Sequence, residues 1–169
     1  YYFNISENKE LTFTPTINYG GGVDSSQRFT FNYNQLISGG SLSTDLTVDS
    51  KFEAQNYNKW FTNASLVTNY KKNLNTNYTI SFESALETSK NYIQTTNPNN
   101  DLSYTSSLAT KINLNGYNLN KIDDKLFVNF SNYQTNQNND DNSSLPTVLP
   151  YINYKSGVYE YRKINYENQ

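Results

Sequence analysis

Glu83 and Glu87 stand four residues apart, and two acids on one face are the minimum equipment for glycoside hydrolysis, one protonating the leaving oxygen while the other assists or attacks. Nothing places a second catalytic element beside them, so both read as charges on a polar face. Asp140-Asp141, inside the Asn/Asp-rich stretch 134–144, offers oxygen ligands of the kind calcium takes. The stretch lacks the alternating spacing of a calcium loop and reads as a solvated connection. Asn63-Ala64-Ser65 is a glycosylation sequon of the sort that arises by chance in so Asn-rich a chain. The 169 residues contain no Cys and no His, which removes the thiol nucleophile, the disulfide framework, the zinc site and the usual general base. No catalytic residue, metal or cofactor is expected, and the chain is not read as an enzyme.

Composition narrows the partners. Thirteen basic against fifteen acidic residues give a net charge of −2, without the basic footprint that nucleic acid requires. Mean hydropathy is −0.81 while charged residues make up only 17%, so the polarity comes from Asn, Ser and Thr. Sixteen Tyr and nine Phe are set in that neutral background, the reverse of a disordered composition. No apolar run is long enough for a transmembrane helix. The chain opens at Tyr1 with no basic or apolar leader and reads as a fragment or a mature segment, with no internal domain boundary.

The elements that carry these residues have a period of two. Leu11, Phe13, Pro15, Ile17 and Tyr19 alternate with Thr12, Thr14, Thr16 and Asn18; Phe29, Phe31 and Tyr33 alternate with Thr30, Asn32 and Asn34. Leu42, Leu46 and Val48 oppose Ser43, Asp45, Thr47 and Asp49. Trp60, Ala64, Leu66 and Tyr70 oppose Lys59, Asn63, Ser65 and Asn69, with Phe61 and Val67 blurring the pattern. The cleanest dyad sets Tyr78, Ile80, Phe82 and Leu86 against Thr79, Ser81, Glu83 and Glu87. Tyr104, Leu108, Ile112 and Leu114 follow, then Leu126, Val128 and Phe130, then Val148, Ile152 and Tyr154, and a weaker run over 158–165. With residues 1–5 this predicts about ten strands and no helix. Gly20-Gly21-Gly22, Ser38-Gly39-Gly40 and Asn97-Pro98-Asn99-Asn100 supply reversals, so consecutive strands are expected to pair as an antiparallel up-and-down meander.

Two architectures fit an all-β chain with one apolar and one polar face. A secreted or surface β-sandwich for binding or adhesion buries the apolar faces, whereas a transmembrane β-barrel turns them to lipid and lines a wet lumen with the polar ones. Long strands favour the barrel. So do the aromatics near strand ends (Tyr19, Tyr57, Trp60, Tyr70, Tyr78, Tyr92, Tyr133, Tyr154) and the neutral, small side chains of the polar face. A complete small porin-like barrel fits less well, because Tyr166-Glu167-Asn168-Gln169 is not the aromatic ending such barrels usually carry.

The opening Tyr1-Tyr2-Phe3-Asn4-Ile5, its Asn-containing turn, and Leu11-Thr12-Phe13-Thr14-Pro15 resemble the first barrel hairpin of the LptD/OstA family of outer-membrane lipopolysaccharide-assembly proteins. Further matches follow in the family's order: the aromatic strand 28–33, Lys59-Trp60, and Leu149-Pro150-Tyr151-Ile152-Asn153-Tyr154. The match covers the first strands of that family's barrel; its periplasmic jellyroll domain and later strands are absent. The resemblance implies residence in the Gram-negative outer membrane and lipopolysaccharide as cargo. The acyl chains would leave by a lateral gate and the sugars would cross the lumen. It also implies an LptE-type plug lipoprotein and periplasmic Lpt bridge components as partners. It places Tyr1, Tyr2, Phe3, Asn4, Ile5, Leu11, Phe13 and Pro15 at the gate, where Pro15 lacks a ladder donor; on the barrel reading, strand parity puts Ser81, Glu83 and Glu87 in the lumen.

Overall fold

A computed structural model describes residues 1–19, 24–53, 59–119, 123–136 and 142–157. Nine strands run in chain order: β1 (Tyr2–Ser6), β2 (Lys9–Tyr19), β3 (Asp24–Ile37), β4 (Gly40–Glu53), β5 (Lys59–Asn73), β6 (Tyr78–Glu87), β7 (Ser107–Tyr117), β8 (Lys125–Thr135) and β9 (Val148–Lys155). Each pairs antiparallel with the next in one sheet ordered β1 to β9, an up-and-down meander whose end strands do not meet. The sheet is therefore open among the described residues. A tenth strand over 158–165 falls outside them, as do Gly20-Gly21-Gly22, Tyr57 and Asp140-Asp141. No helix among the described residues is long and apolar enough to cross a membrane, which says nothing of strands that cross.

Register gathers most of the apolar side chains on one face and most of the polar ones on the other. Phe13, Phe31, Leu46, Leu66 and Leu86 follow one another across β2 to β6, and Tyr70, Phe82, Ile112 and Phe130 across β5 to β8. Phe13 also stacks between Tyr1 and Phe31, with ring centroids 6.2 and 4.8 Å away. On the opposite face, Asn34, Ser43, Asn69, Glu83, Lys111 and Ser131 make a row from β3 to β8. A slip by one residue anywhere would exchange the faces, so the alternation itself enforces the register. Among the described residues no second sheet covers the apolar side, and Leu86, Ile112, Phe130 and Ile152 remain exposed.

Tight reversals hold the hairpins. Ser38 and Gly39 join β3 to β4, with Gly39 at φ +76°, a conformation that costs a glycine little. Gly40 meets β5 so closely that a Cβ there would collide with the Lys71 carbonyl oxygen. Between β5 and β6 the Asn75 side chain accepts the N–H groups of Asn77 and Tyr78, an Asx-type turn.

The connection between β6 and β7 is not the simple turn cluster expected from Asn97-Pro98-Asn99-Asn100. It folds into a helix α1 (Tyr92–Thr96) and a 3-10 turn (Asp101–Tyr104). Tyr92 thus belongs to a helix and is buried rather than sitting in an interfacial strand end, and Tyr104 lies in the 3-10 turn, three residues before β7 begins. The small core of the molecule is here: Ala85, Ile93 and Leu108, flanked by Val67 and Leu102.

Candidate functional site

The polar face is where chemistry can happen, and its side chains are mostly tied to one another. Asn32 donates to Asp45 at 2.7 Å, Asn34 donates to Glu10 at 3.1 Å, and Tyr2 donates its hydroxyl to the same Glu10 carboxylate at 3.1 Å. Across β6, β7 and β8, Asn113 donates to Ser81, Asn129 to Asn113, and Ser131 to Asn129. This lining is made of amides and hydroxyls with a few balanced charges, a surface suited to hydroxyl-rich or hydrated solutes rather than to one fixed ion. A groove of about 450 Å³ opens between the β1–β2 turn and β3–β4, bounded by Tyr2, Asn4, Glu10, Asn34 and Ser43.

Ser81, Glu83 and Glu87 share this face, but they do different things. Ser81 joins the amide ladder, and Glu83 is exposed opposite Lys111. Glu87 is buried, and its carboxylate accepts the N–H groups of Asn91 at 3.0 Å and Ile93 at 3.1 Å, where α1 begins. Four residues of strand put the two acids ~13 Å apart, beyond the ~5–9.5 Å that paired-acid hydrolysis uses. Among the described residues no three acidic side chains gather as a metal site.

The segment 88–106 lies on the polar face. Beside Glu87, Asn136 accepts the Asn91 N–H at 2.8 Å and donates to the Thr105 carbonyl at 3.1 Å, while Gln134 exchanges two hydrogen bonds with the Glu87 backbone. From that anchor the Tyr92 ring reaches the ion pair of Arg28 on β3 with Asp49 on β4, which are 2.9 Å apart. The Tyr92 hydroxyl, Arg28 Nε and Asp49 Oδ1 are buried there without a close, well-aligned hydrogen bond, although the Arg28 guanidinium is near enough to the phenol to act on it. Burial and then the Asp49 charge push the Tyr92 phenol up to about 12, and Arg28 opposes them too weakly to offset this. A cavity of about 70 Å³ separates Ile93, Thr96 and Asn97 from Thr30, Asp45 and Thr47 beneath.

The sequence-predicted gate residues all lie in the first hairpin. Phe13 exchanges both backbone hydrogen bonds with Tyr1, so odd-numbered residues of β2 point their N–H groups toward β1 and even-numbered ones toward β3. Pro15 therefore withholds its donor from the β1 side, past Tyr1, while its side chain sits on the apolar face opposite Phe29. Tyr1, Phe3, Leu11 and Phe13 share that apolar face; Tyr2 and Asn4 are on the polar one, and Ile5 falls at the register shift between Asn4 and Ser6. The sequence marked Tyr92 only as a strand-end aromatic and Asp49 only as a polar-face residue; it gave no sign that they meet Arg28, or that Asn136 anchors the segment. The signal for them was Val67 and Ala85, two apolar residues at polar positions that prove to be direct neighbours across β5 and β6.

Comparison with protein-family models, curated proteins and solved structures finds no match to the chain.

Proposed function

We propose that these strands are the first part of an outer-membrane β-barrel of the lipopolysaccharide-assembly type, with the apolar face against lipid and the polar face lining the passage. The observation that carries the barrel reading is the register. Among the described residues, nine neighbouring strands bring most apolar rows to one face that no second layer covers and most amide and hydroxyl rows to the other, with Thr44, Thr68, Ser84, Thr110 and Asn132 as a polar row on the first. Three of those strands, with 14, 14 and 15 residues, are long enough to cross a bilayer at a tilt. The cargo reading rests on the resemblance of the first hairpin. It is also supported by the lining, which offers hydrogen bonds to sugar hydroxyls while the apolar seam beside β1 suits acyl chains.

The test uses spin labels at Ile80 and Glu83 of the full-length protein in outer-membrane vesicles. Ile80 should be reached by a lipid-soluble quencher and Glu83 by a water-soluble one; equal water access, or more at Ile80, removes the membrane assignment. In cells depleted of the protein, lipopolysaccharide should fail to reach the surface. Normal arrival would leave a barrel with some other cargo.

A further inference from the structure

We propose that residues 88–106 are a resident plug: a piece of the chain's own β6–β7 connection that lies over β3 to β6 and keeps that part of the polar passage shut until it is displaced. The proposal rests on the barrel reading above and adds to it a moving part.

The segment is held unequally at its two sides. At β6 and β8 it is anchored by Glu87 and Asn136, both buried, and by the packing of Ile93 on Ala85 and Leu108. Burial of apolar surface and charge-assisted hydrogen bonds inside a dry cluster are costly to undo. Over β3 and β4 the contact is of another kind. The floor there is Thr30, Asp45, Thr47 and the Arg28–Asp49 pair, a small cavity intervenes, and three buried polar atoms lack a close, well-aligned hydrogen bond. Separating these surfaces exposes the buried Tyr92 ring but lets water satisfy the Tyr92 hydroxyl, Arg28 Nε and Asp49 Oδ1. The geometry is that of a hinge at the β6 end and a latch with a polar floor three strands away. The groove beside Tyr2, Glu10 and Asn34 is left clear, so the plug divides the polar face into a closed half and an open half.

The 169 residues contain no cysteine, so no thiol within them competes with an introduced pair. Thr30→Cys with Thr96→Cys joins the floor to α1 across the cavity that both residues line. In the full-length protein a short bis-methanethiosulfonate reagent should join the pair across the cavity, the cross-linked protein should lose lipopolysaccharide delivery, and reduction should restore it. Replacing 91–104 with a short Gly-Ser turn should raise single-channel conductance in planar bilayers several-fold and admit large hydrophilic antibiotics to cells. Failure of the cysteines to pair, or unimpaired delivery by the cross-linked protein, overturns the plug; so does unchanged conductance of a folded, shortened variant. Should the shortened protein not fold, the cross-link still decides. A protein that sediments with the outer membrane yet ignores the cross-link sinks the plug alone, whereas one that never reaches the membrane sinks the barrel reading and the plug with it.

Discussion

Tyr92 is the residue whose chemistry departs furthest from its ordinary state. Its phenol is held neutral by burial and by Asp49, with a value raised from 10.0 to about 12. A group whose folded value is raised contributes its full stability below the unfolded value and loses it as pH climbs toward the folded one. Docking of 88–106 should therefore be insensitive to pH up to 10 and weaken between 10 and about 12. In an ultraviolet titration of the full-length protein, Tyr92 should be among the tyrosines that ionise late, and Tyr92→Phe should delete one late step. Because the hydroxyl makes no close hydrogen bond and only a weak contact with Arg28, its removal should shift stability by less than about 1 kcal/mol at neutral pH. A titration above pH 10 that Tyr92→Phe leaves unchanged would contradict this account.

At the scale of the element, the β3–β4 hairpin depends on two glycines for separate reasons. Gly39 needs a left-handed backbone, while Gly40 needs empty space where β4 touches β5. The Gly40→Ala methyl has nowhere to go except into the Lys71 carbonyl, so the two strands must part locally, at a cost of about 1–3 kcal/mol as for other overpacked sites. Ser41→Ala, one residue on, should change little. Urea-unfolding midpoints of the two variants, measured in detergent micelles, should separate clearly; equal midpoints would mean that β4 and β5 lie further apart than this packing has them. The β6–β7 connection shows the complementary case. Its five-residue helix is too short to form alone, and it exists because Glu87 and Asn136 accept its first N–H groups and Ala85 receives Ile93.

The whole molecule exposes 12078 Å², whereas a compact monomer of 19.4 kDa would expose about 8,500 Å² by the usual size scaling. The excess fits the broad sheet of the described residues, whose end strands do not meet and whose apolar face none of them covers. Water penalises that face, and unpaired edges template further pairing. The isolated 169-residue chain should accordingly aggregate in buffer and become monodisperse only in detergent. A monomeric preparation that unfolds cooperatively in plain buffer would mean that the apolar face is buried some other way and would count against a lipid-facing sheet.

Which residues share a face was legible before any coordinates, because a strand has a period of two and an apolar/polar alternation declares its parity at once. Ile80, Phe82 and Leu86 do lie opposite Ser81, Glu83 and Glu87, and the Gly39 reversal and the meander follow from the same local rules. What Val67 meant could not be read locally. One valine at a polar position only blurs a pattern until register sets it against Ala85 and a segment twenty residues further on closes over both. Likewise Arg28, Asp49 and Tyr92 are far apart in the chain and carry no shared motif, so their meeting required three strand pairings and the fold-back of 88–106. Parity is a local property of the backbone, whereas burial of a polar face depends on what long-range contact brings over it, and only the tertiary structure decided that.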